Sequence, residues 1–395
     1  MTSTIITLDN AADSASGGKM NSTLKDAVEK GIIKAKQMLD LAKNDLVKNV
    51  VIFIIIAMSA IIVIYIFSTI VLPETNCNKI KGWFPTDRGN GLTSIPSSSE
   101  FLLRDYYIKS SWNTCLSGIE KHDFINFCGL DAAIRQGCRF LDFQIFTLNG
   151  QPIVAFGKKD SVHQKDTYNA LKTNDILQRI MQNAFSSSVV QNFNDPLILH
   201  FRFYTNIENT YNILAGQIKS ILNDRILGRT YSNGFSGKNL GAVPINNFFG
   251  KIIIFVDGSR GHGFEKTKMW EYVNMVSGSP FLSVMSSEDL RTQNTSNILN
   301  QNKQNMMIVY PDGPTNFNIG LPQHYGVQIS AMNYYNNDSY LQQANSQFKT
   351  SRYAFQLKPE SQRFVPVTYK TPPTSAERTS FQPRKIQTDY YSITI

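Results

Sequence analysis

Val50 to Leu72 is an unbroken run of 23 residues without a charge, mostly Ile, Val, Phe and Ala. As a helix it spans about 30 Å of hydrocarbon with some tilt. A helix that is apolar on every side needs either a large protein core or a bilayer around it. The run is too long, and starts too far from Met1, for a cleaved signal peptide. A single signal-anchor helix over 49–72, ended by Pro73, is therefore expected, with a lipid membrane as the partner of residues 49–72. Residues 29–48 carry five Lys, and residues 73–92 carry two Lys and one Arg. That bias places the N-terminus in the cytosol and residues 73–395 on the non-cytosolic side. On that side Asn294-Thr295-Ser296 and Asn337-Asp338-Ser339 are glycan acceptors.

The flanks of this run are of two kinds. Residues 1–20 are polar and rich in Ser, Thr and Gly. A helix then starts near Thr23, whose hydroxyl can cap it, with Asp26 three residues on. Leu24, Val28, Ile32, Ala35, Leu39, Ala42 and Leu46 give it one apolar stripe. Such a stripe suits packing on a partner helix or lying on a membrane surface. Residues 1–48 are thus a polar segment with an amphipathic helix. Residues 73–100, with Gly, Pro and Ser and little periodicity, read as a linker.

The net charge of +9 is not spread evenly. From Lys349 to Ile395 there are 8 Lys and Arg against 3 Asp and Glu, so the tail alone holds +5. A solvated tail and a tail touching acidic lipid or an acidic protein partner both fit. No zinc-finger or helix-turn-helix spacing points to nucleic acid. Cys77, Cys115, Cys128 and Cys138 lack metal-ligand spacing. A disulfide from Cys77 or Cys115 requires an oxidising compartment. After Pro359, the prolines 366, 372, 373 and 383 among basic residues predict an extended tail over 361–395.

Between these flanks, short apolar runs alternate with longer segments of helical length. The runs are Phe140–Phe146, Pro152–Phe156, Pro196–Phe203, Lys251–Val256, Met306–Tyr310 and Gly326–Met332. Strands spaced by crossovers predict a parallel α/β sheet. Ile252-Ile253-Ile254-Phe255 is apolar on both faces, as a buried parallel strand should be.

A set of short motifs narrows the fold further. Ser110-Ser111-Trp112-Asn113-Thr114-Cys115-Leu116-Ser117-Gly118 is followed by Arg135-Gln136-Gly137-Cys138-Arg139 and then Gly150-Gln151-Pro152-Ile153-Val154-Ala155-Phe156-Gly157. This order resembles the X region of eukaryotic-type phosphoinositide-specific phospholipase C. Pro196-Leu197-Ile198-Leu199 and Gly250-Lys251-Ile252-Ile253-Ile254 resemble two further strands of that region. Val309-Tyr310-Pro311, Gly326–Tyr334 and Tyr353–Pro359 resemble its Y region. The resemblance covers about 101–360 and implies a TIM-type (β/α) barrel of the phospholipase C-like phosphodiesterase kind. It also implies that Cys138 is a small buried core residue.

The same resemblance implies an altered site. The family's two catalytic histidines fall on Trp112 and Phe156, which can exchange no proton. Each general acid or base is worth roughly 10²–10⁴ in rate. The family's calcium takes oxygens from an Asn, a Glu, an Asp and a second Glu. Asn113 remains, the first Glu falls on Asp142, the Asp on Gln144 and the second Glu on Arg202. The family's ring-phosphate cations fall on Phe255, Asp257 and Ile308. Arg202 is expected either to pair with Asp142 in calcium's place or to turn out to solvent. His200 shares a strand face with Arg202 and is a structural histidine or a relocated base. His163, in a polar loop, is a second candidate base; His122, His262 and His324 carry no motif.

The expected function is that of a membrane-anchored, catalytically degenerate barrel acting as a structural or binding module, with no cofactor and the calcium site lost. The alternative is a phosphoric diester hydrolase with a rebuilt, calcium-independent site. The Asn- and Ile-rich composition would suit a large DNA virus membrane.

Overall fold

The computed structural model describes residues 29–34, 36–37, 45–85, 91–118, 123–157, 164–365 and 383–395. The N-cap expected at Thr23, His122, His163 and the tail's Pro366, Pro372 and Pro373 lie outside these residues. Of the amphipathic helix, helical residues are described at 29–34, 36–37 and from 45, where α1 (Asp45–Ile66) begins.

The apolar run is helical and exposed on all sides. Helix α1 (Asp45–Ile66) passes through a π-helical turn at Phe67–Val71 into α2 (Leu72–Trp83). Together they give one helix long and apolar enough to cross a membrane, Val47–Trp83. Pro73 does not end it. It sits in the first turn of α2, where the missing N–H and the fixed φ of proline are tolerated.

The linker expected over 73–100 is likewise corrected. Asn76, Cys77 and Ile80 of α2 are buried, as are Phe84, Leu92 and Ile95 beyond it. Cys77 is disulfide-bonded to Cys128, with their Cα atoms 5.5 Å apart. Low periodicity concealed the packing, because few residues of this stretch meet the barrel and the disulfide fixes one of them.

The barrel begins with β1 (Tyr106–Trp112) and helix α3 (Phe127–Arg135). There follow β2 (Phe140–Leu148), β3 (Gln151–Ala155), β4 (Leu171–Lys172), α4 (Thr173–Ala184), β5 (Leu197–Phe203) and α5 (Glu208–Gln217). Next come β6 (Ile252–Asp257), β7 (Met275–Val276), β8 (Leu282–Ser286), α6 (Thr295–Gln304) and β9 (Met306–Tyr310). The barrel ends with β10 (Ile329–Asn333), α7 (Ser339–Ser351) and β11 (Phe355–Leu357). Eight strands run parallel in the order β7-β6-β5-β2-β1-β10-β9-β8, nearly closing a TIM-type barrel. Its seam lies between β7 and β8, where only the bridge Ser279–Leu282 is described.

Strand β3 departs from the expected set. Pro152–Phe156 supplies no parallel barrel strand; β3 pairs antiparallel with β2 as a hairpin. Only Asn149 and Gly150 separate the two, at φ 50° and 72°, and that two-residue turn is the hairpin geometry. A parallel partner would need a crossover of a dozen or so residues. The expected strands missed β1, whose Lys109, Ser110 and Ser111 interrupt any apolar run although all seven of its residues are buried. The extended tail is also corrected, since its end forms a hairpin of β12 (Lys385–Gln387) and β13 (Ser392–Thr394).

Cys115 and Cys138 are free and buried. Burial pushes the Cys138 thiol up to about 11, and the Cys115 thiol is raised by the same cause. Neither forms much thiolate near neutral pH. Peptide mapping under non-reducing conditions should recover Cys77 joined to Cys128, with Cys115 and Cys138 alkylated only after unfolding. Rapid alkylation of Cys77 in the folded, unreduced chain would contradict this. Replacing both bonded cysteines by Ser should lower stability by about 2–4 kcal/mol.

Candidate functional site

Trp112 and Arg202 stand at or near the carboxyl ends of β1 and β5, where a TIM-type barrel carries its chemistry, and Asp142, the third residue of β2, lies beside them. Trp112 ends β1, and Asn113 follows it in the left-handed region at φ 45°. Asparagine tolerates that conformation better than most residues. In the β2–β5 register Asp142 lies opposite His200, and Gln144 opposite Arg202. Alternation along each strand puts all four on one face.

Asp142 is the hub. Arg202 Nε donates to its Oδ1 at 2.8 Å, and Arg202 Nη2 to its Oδ2 at 2.5 Å. His200 Nδ1 lies 2.8 Å from Oδ1, and the Asn113 N–H donates to Oδ2 at 3.1 Å. Burial would raise this carboxyl's pKa; the Arg202 charge and the His200 hydrogen bond outweigh it and hold the pKa below its ordinary value. Burial also pulls the Arg202 guanidinium down, and Asp142 more than offsets that. Arg202 is therefore paired inward, not turned to solvent.

The remaining polar groups are tied into the same network. Asn113 Oδ1 accepts from Arg202 Nη2 at 2.5 Å and from Gln144 Nε2 at 3.3 Å. Gln144 Oε1 accepts the Gly157 N–H at 2.8 Å. His200 Nε2 lies 2.9 Å from Ser277 Oγ, and the imidazole has no exposed surface.

Two buried aromatics lie beside this network. Trp112 and Phe156 are 5% and 6% exposed. The Arg202 Cζ sits 3.8 Å from the centre of the Trp112 ring, and Tyr310 stacks on Trp112 at 4.8 Å and 11°. Trp112 is thus more than apolar packing, because its π face meets a cation. The space left beside Phe156, Asn113, Asp142 and Gln144 is about 10 Å³, close to the minimum for one water. Of the positions where the resemblance implies phosphate contacts, Phe255 and Ile308 are fully buried, and Asp257 is half-buried at the end of β6.

Sequence reasoning brought Trp112, Asn113, Asp142, Gln144, Phe156, His200 and Arg202 together, and they do cluster. It missed Ser277, which carries no motif. It also gave no role to Tyr310, although the Val309-Tyr310-Pro311 motif marks that residue. Arg260, three residues beyond Asp257, was missed as a cation in that region; its guanidinium lies over the Tyr204 ring and bonds the Tyr204 hydroxyl.

These donors do not fit a calcium ion. The cluster offers one carboxylate, already engaged by Arg202, and the Asn113 oxygen is engaged as well. Calcium takes about six to eight oxygens without a cation among them. Among the described residues no group of three or more His, Cys, Asp or Glu is placed to hold a metal.

The family description "Phosphatidylinositol-specific phospholipase C, X domain" matches residues 100–257. Over those residues the chain is similar to that X domain. Among solved structures, S. officinalis PLC21 aligns at 18% identity and a TM-score of 0.55, over 69% of this chain and 39% of that one. L. pealei PLC21 aligns equally well, over 68% of this chain and 38% of its own. The chain thus spans about two fifths of these phospholipases. No curated protein matches it.

Two outcomes follow for this cluster. Trp112→Ala should lower stability by roughly 3–5 kcal/mol in denaturant unfolding; a loss under about 1 kcal/mol would contradict its packing role. Arg202→Met strands the Asp142 charge and should cost roughly 3–5 kcal/mol, much of it recovered by adding Asp142→Leu. Because the folded pKa of Asp142 is depressed, the pair's contribution is present above the ordinary carboxylate pKa of about 4. It is lost as pH falls through the lowered folded value. The stability gap between wild type and the double variant should therefore change only in that acid range. A gap that instead shifts near neutrality would point to another group.

Proposed function

We propose that the chain is a membrane-anchored phospholipase C-like barrel that serves as a structural or binding module and lacks the family's two-histidine, calcium-dependent chemistry. One observation carries the reading. The Arg202 guanidinium lies among Asn113, Asp142 and Gln144 under the Trp112 ring, and it uses the oxygens a metal would need. Trp112 and Phe156 offer no proton. His200, the one imidazole in the cluster, is bonded on both nitrogens and has no exposed surface.

The contact between His200 and Asp142 favours a second reading, a phosphoric diester hydrolase with a rebuilt, calcium-independent site. For that reading the imidazole must reach substrate, so the Trp112–Tyr310 stack must open. Placement of the barrel on the non-cytosolic side is supported by the lysine excess before the apolar helix. The Cys77–Cys128 disulfide supports it as well, since such bonds persist in oxidising compartments. The basic tail and the barrel surface remain the candidates for a protein partner.

Turnover of phosphatidylinositol by the full chain in detergent, with and without calcium, tests the choice. The proposed module shows none above the uncatalysed rate in either condition. Activity that persists in chelator and disappears in His200→Ala would establish the rebuilt hydrolase instead. Calorimetry should show no calcium binding at millimolar concentration. An isotherm abolished by Asp142→Ala would overturn the assignment of Arg202 to the metal's place.

A further inference from the structure

The path of α2 locates the membrane relative to the barrel. Leu72 closes the apolar run, and Cys77 lies five residues, about 7.5 Å, further along the same continuous helix. There Cys77 is bonded to Cys128 in the first turn of α3, and Asn76 Nδ2 donates to Asp123 Oδ1 at 2.8 Å. Asp123 and Cys128 both belong to the connection that leaves the carboxyl end of β1.

Ile80 and Phe84 are buried, and the Phe84 ring packs 5.6 Å from that of Tyr334, which follows the carboxyl end of β10. Thr93 then bridges to Tyr353, just ahead of β11. The Ile95 N–H donates to Asp195 Oδ1 at 2.9 Å, at the amino end of β5. The apolar helix therefore departs from the rim that carries Trp112, Asn113 and Tyr310, and not from the opposite end.

A domain joined to its anchor by free chain swivels over the membrane. Here the helix is continuous into α2, and α2 is held to the barrel by the Cys77–Cys128 bond, the Asn76–Asp123 hydrogen bond and buried apolar contacts. We propose that α2 is a stiff stalk, clasped to the barrel by the Cys77–Cys128 disulfide, that turns the carboxyl-end face of the barrel toward the lipid headgroup surface from which the helix emerges. Tyr168 suits that surface. It is 61% exposed, its N–H donates to the Asp123 carbonyl at 3.0 Å, and tyrosine is favoured at the membrane interface. The inference rests on α1 spanning a bilayer, and it holds whether or not the barrel turns over a substrate.

Two exposed serines mark the ends of the barrel. Ser259 lies beyond the carboxyl end of β6, and Ser187 lies beyond α4 at the amino-end face. A fluorophore is attached through Ser259→Cys or Ser187→Cys in the full chain, where Cys115 and Cys138 are buried. The chain is reconstituted in phosphatidylcholine vesicles carrying a headgroup-labelled acceptor lipid. Strand length and loops separate the two faces by on the order of 30 Å. Energy transfer from position 259 should exceed that from position 187 about twofold or more. Equal transfer, or the reverse order, overturns the proposal. Adding Cys77→Ser and Cys128→Ser should shrink the difference, and an unchanged difference in that folded variant overturns the clasp. A chain that does not float with the vesicles removes the spanning-helix reading as well, whereas one that floats with the wrong order removes only the stalk.

Discussion

A carboxylate with no exposed surface, Asp142, sets the terms for the interior around it. An unpaired charge there would cost several kcal/mol, so every neighbouring strand contributes a partner. Strand β5 supplies Arg202 and His200, and the turn after β1 supplies the Asn113 N–H. The buried pair adds little net stability, because desolvation of the two ions roughly cancels their attraction. Its consequence is geometric. The bidentate contact ties Arg202, near the carboxyl end of β5, to the first half of β2, and Asn113 joins β1 to them.

The same network bears on chemistry. A metal site that catalyses keeps at least one coordination position open, and a general base keeps one lone pair within reach of substrate. Here the Asn113 oxygen, both Asp142 oxygens, the Gln144 oxygen and both His200 nitrogens each have a partner within the barrel. The Arg202 guanidinium sits over the Trp112 ring, and Tyr310 stacks on that ring. The arrangement is closer to a satisfied polar core than to a site waiting for a ligand. This supports the reading of the barrel as a module without turnover.

How much was legible depended on whether the signal was local. Apolar runs such as Ile252–Phe255 identified buried strands, because a strand covered on both faces needs no alternation. The Arg202–Asp142 pairing was legible because family motifs fixed both residues on barrel strands. Strand β1 escaped because its Lys109 and two serines are buried by the barrel and not by their own polarity. Ser277 and the Cys77–Cys128 pair escaped for a related reason. Each contact is made across dozens of residues and has no periodicity. Pro73 misled because a proline in the first turn of a helix looks, in sequence, like the end of the one before it.

The lysine bias and the disulfide address the same topology through unrelated physics. Lysines before the apolar run act while the helix is inserted, by resisting translocation. A disulfide between α2 and α3 reflects the compartment in which the finished barrel resides. Neither depends on the barrel's chemistry, and both support one orientation. With the stalk joined at the carboxyl-end rim, that orientation also brings the closed Trp112–Tyr310 mouth near lipid. A face held there by a covalent clasp can contact the membrane without an open pocket, so this geometric role does not depend on turnover by the barrel.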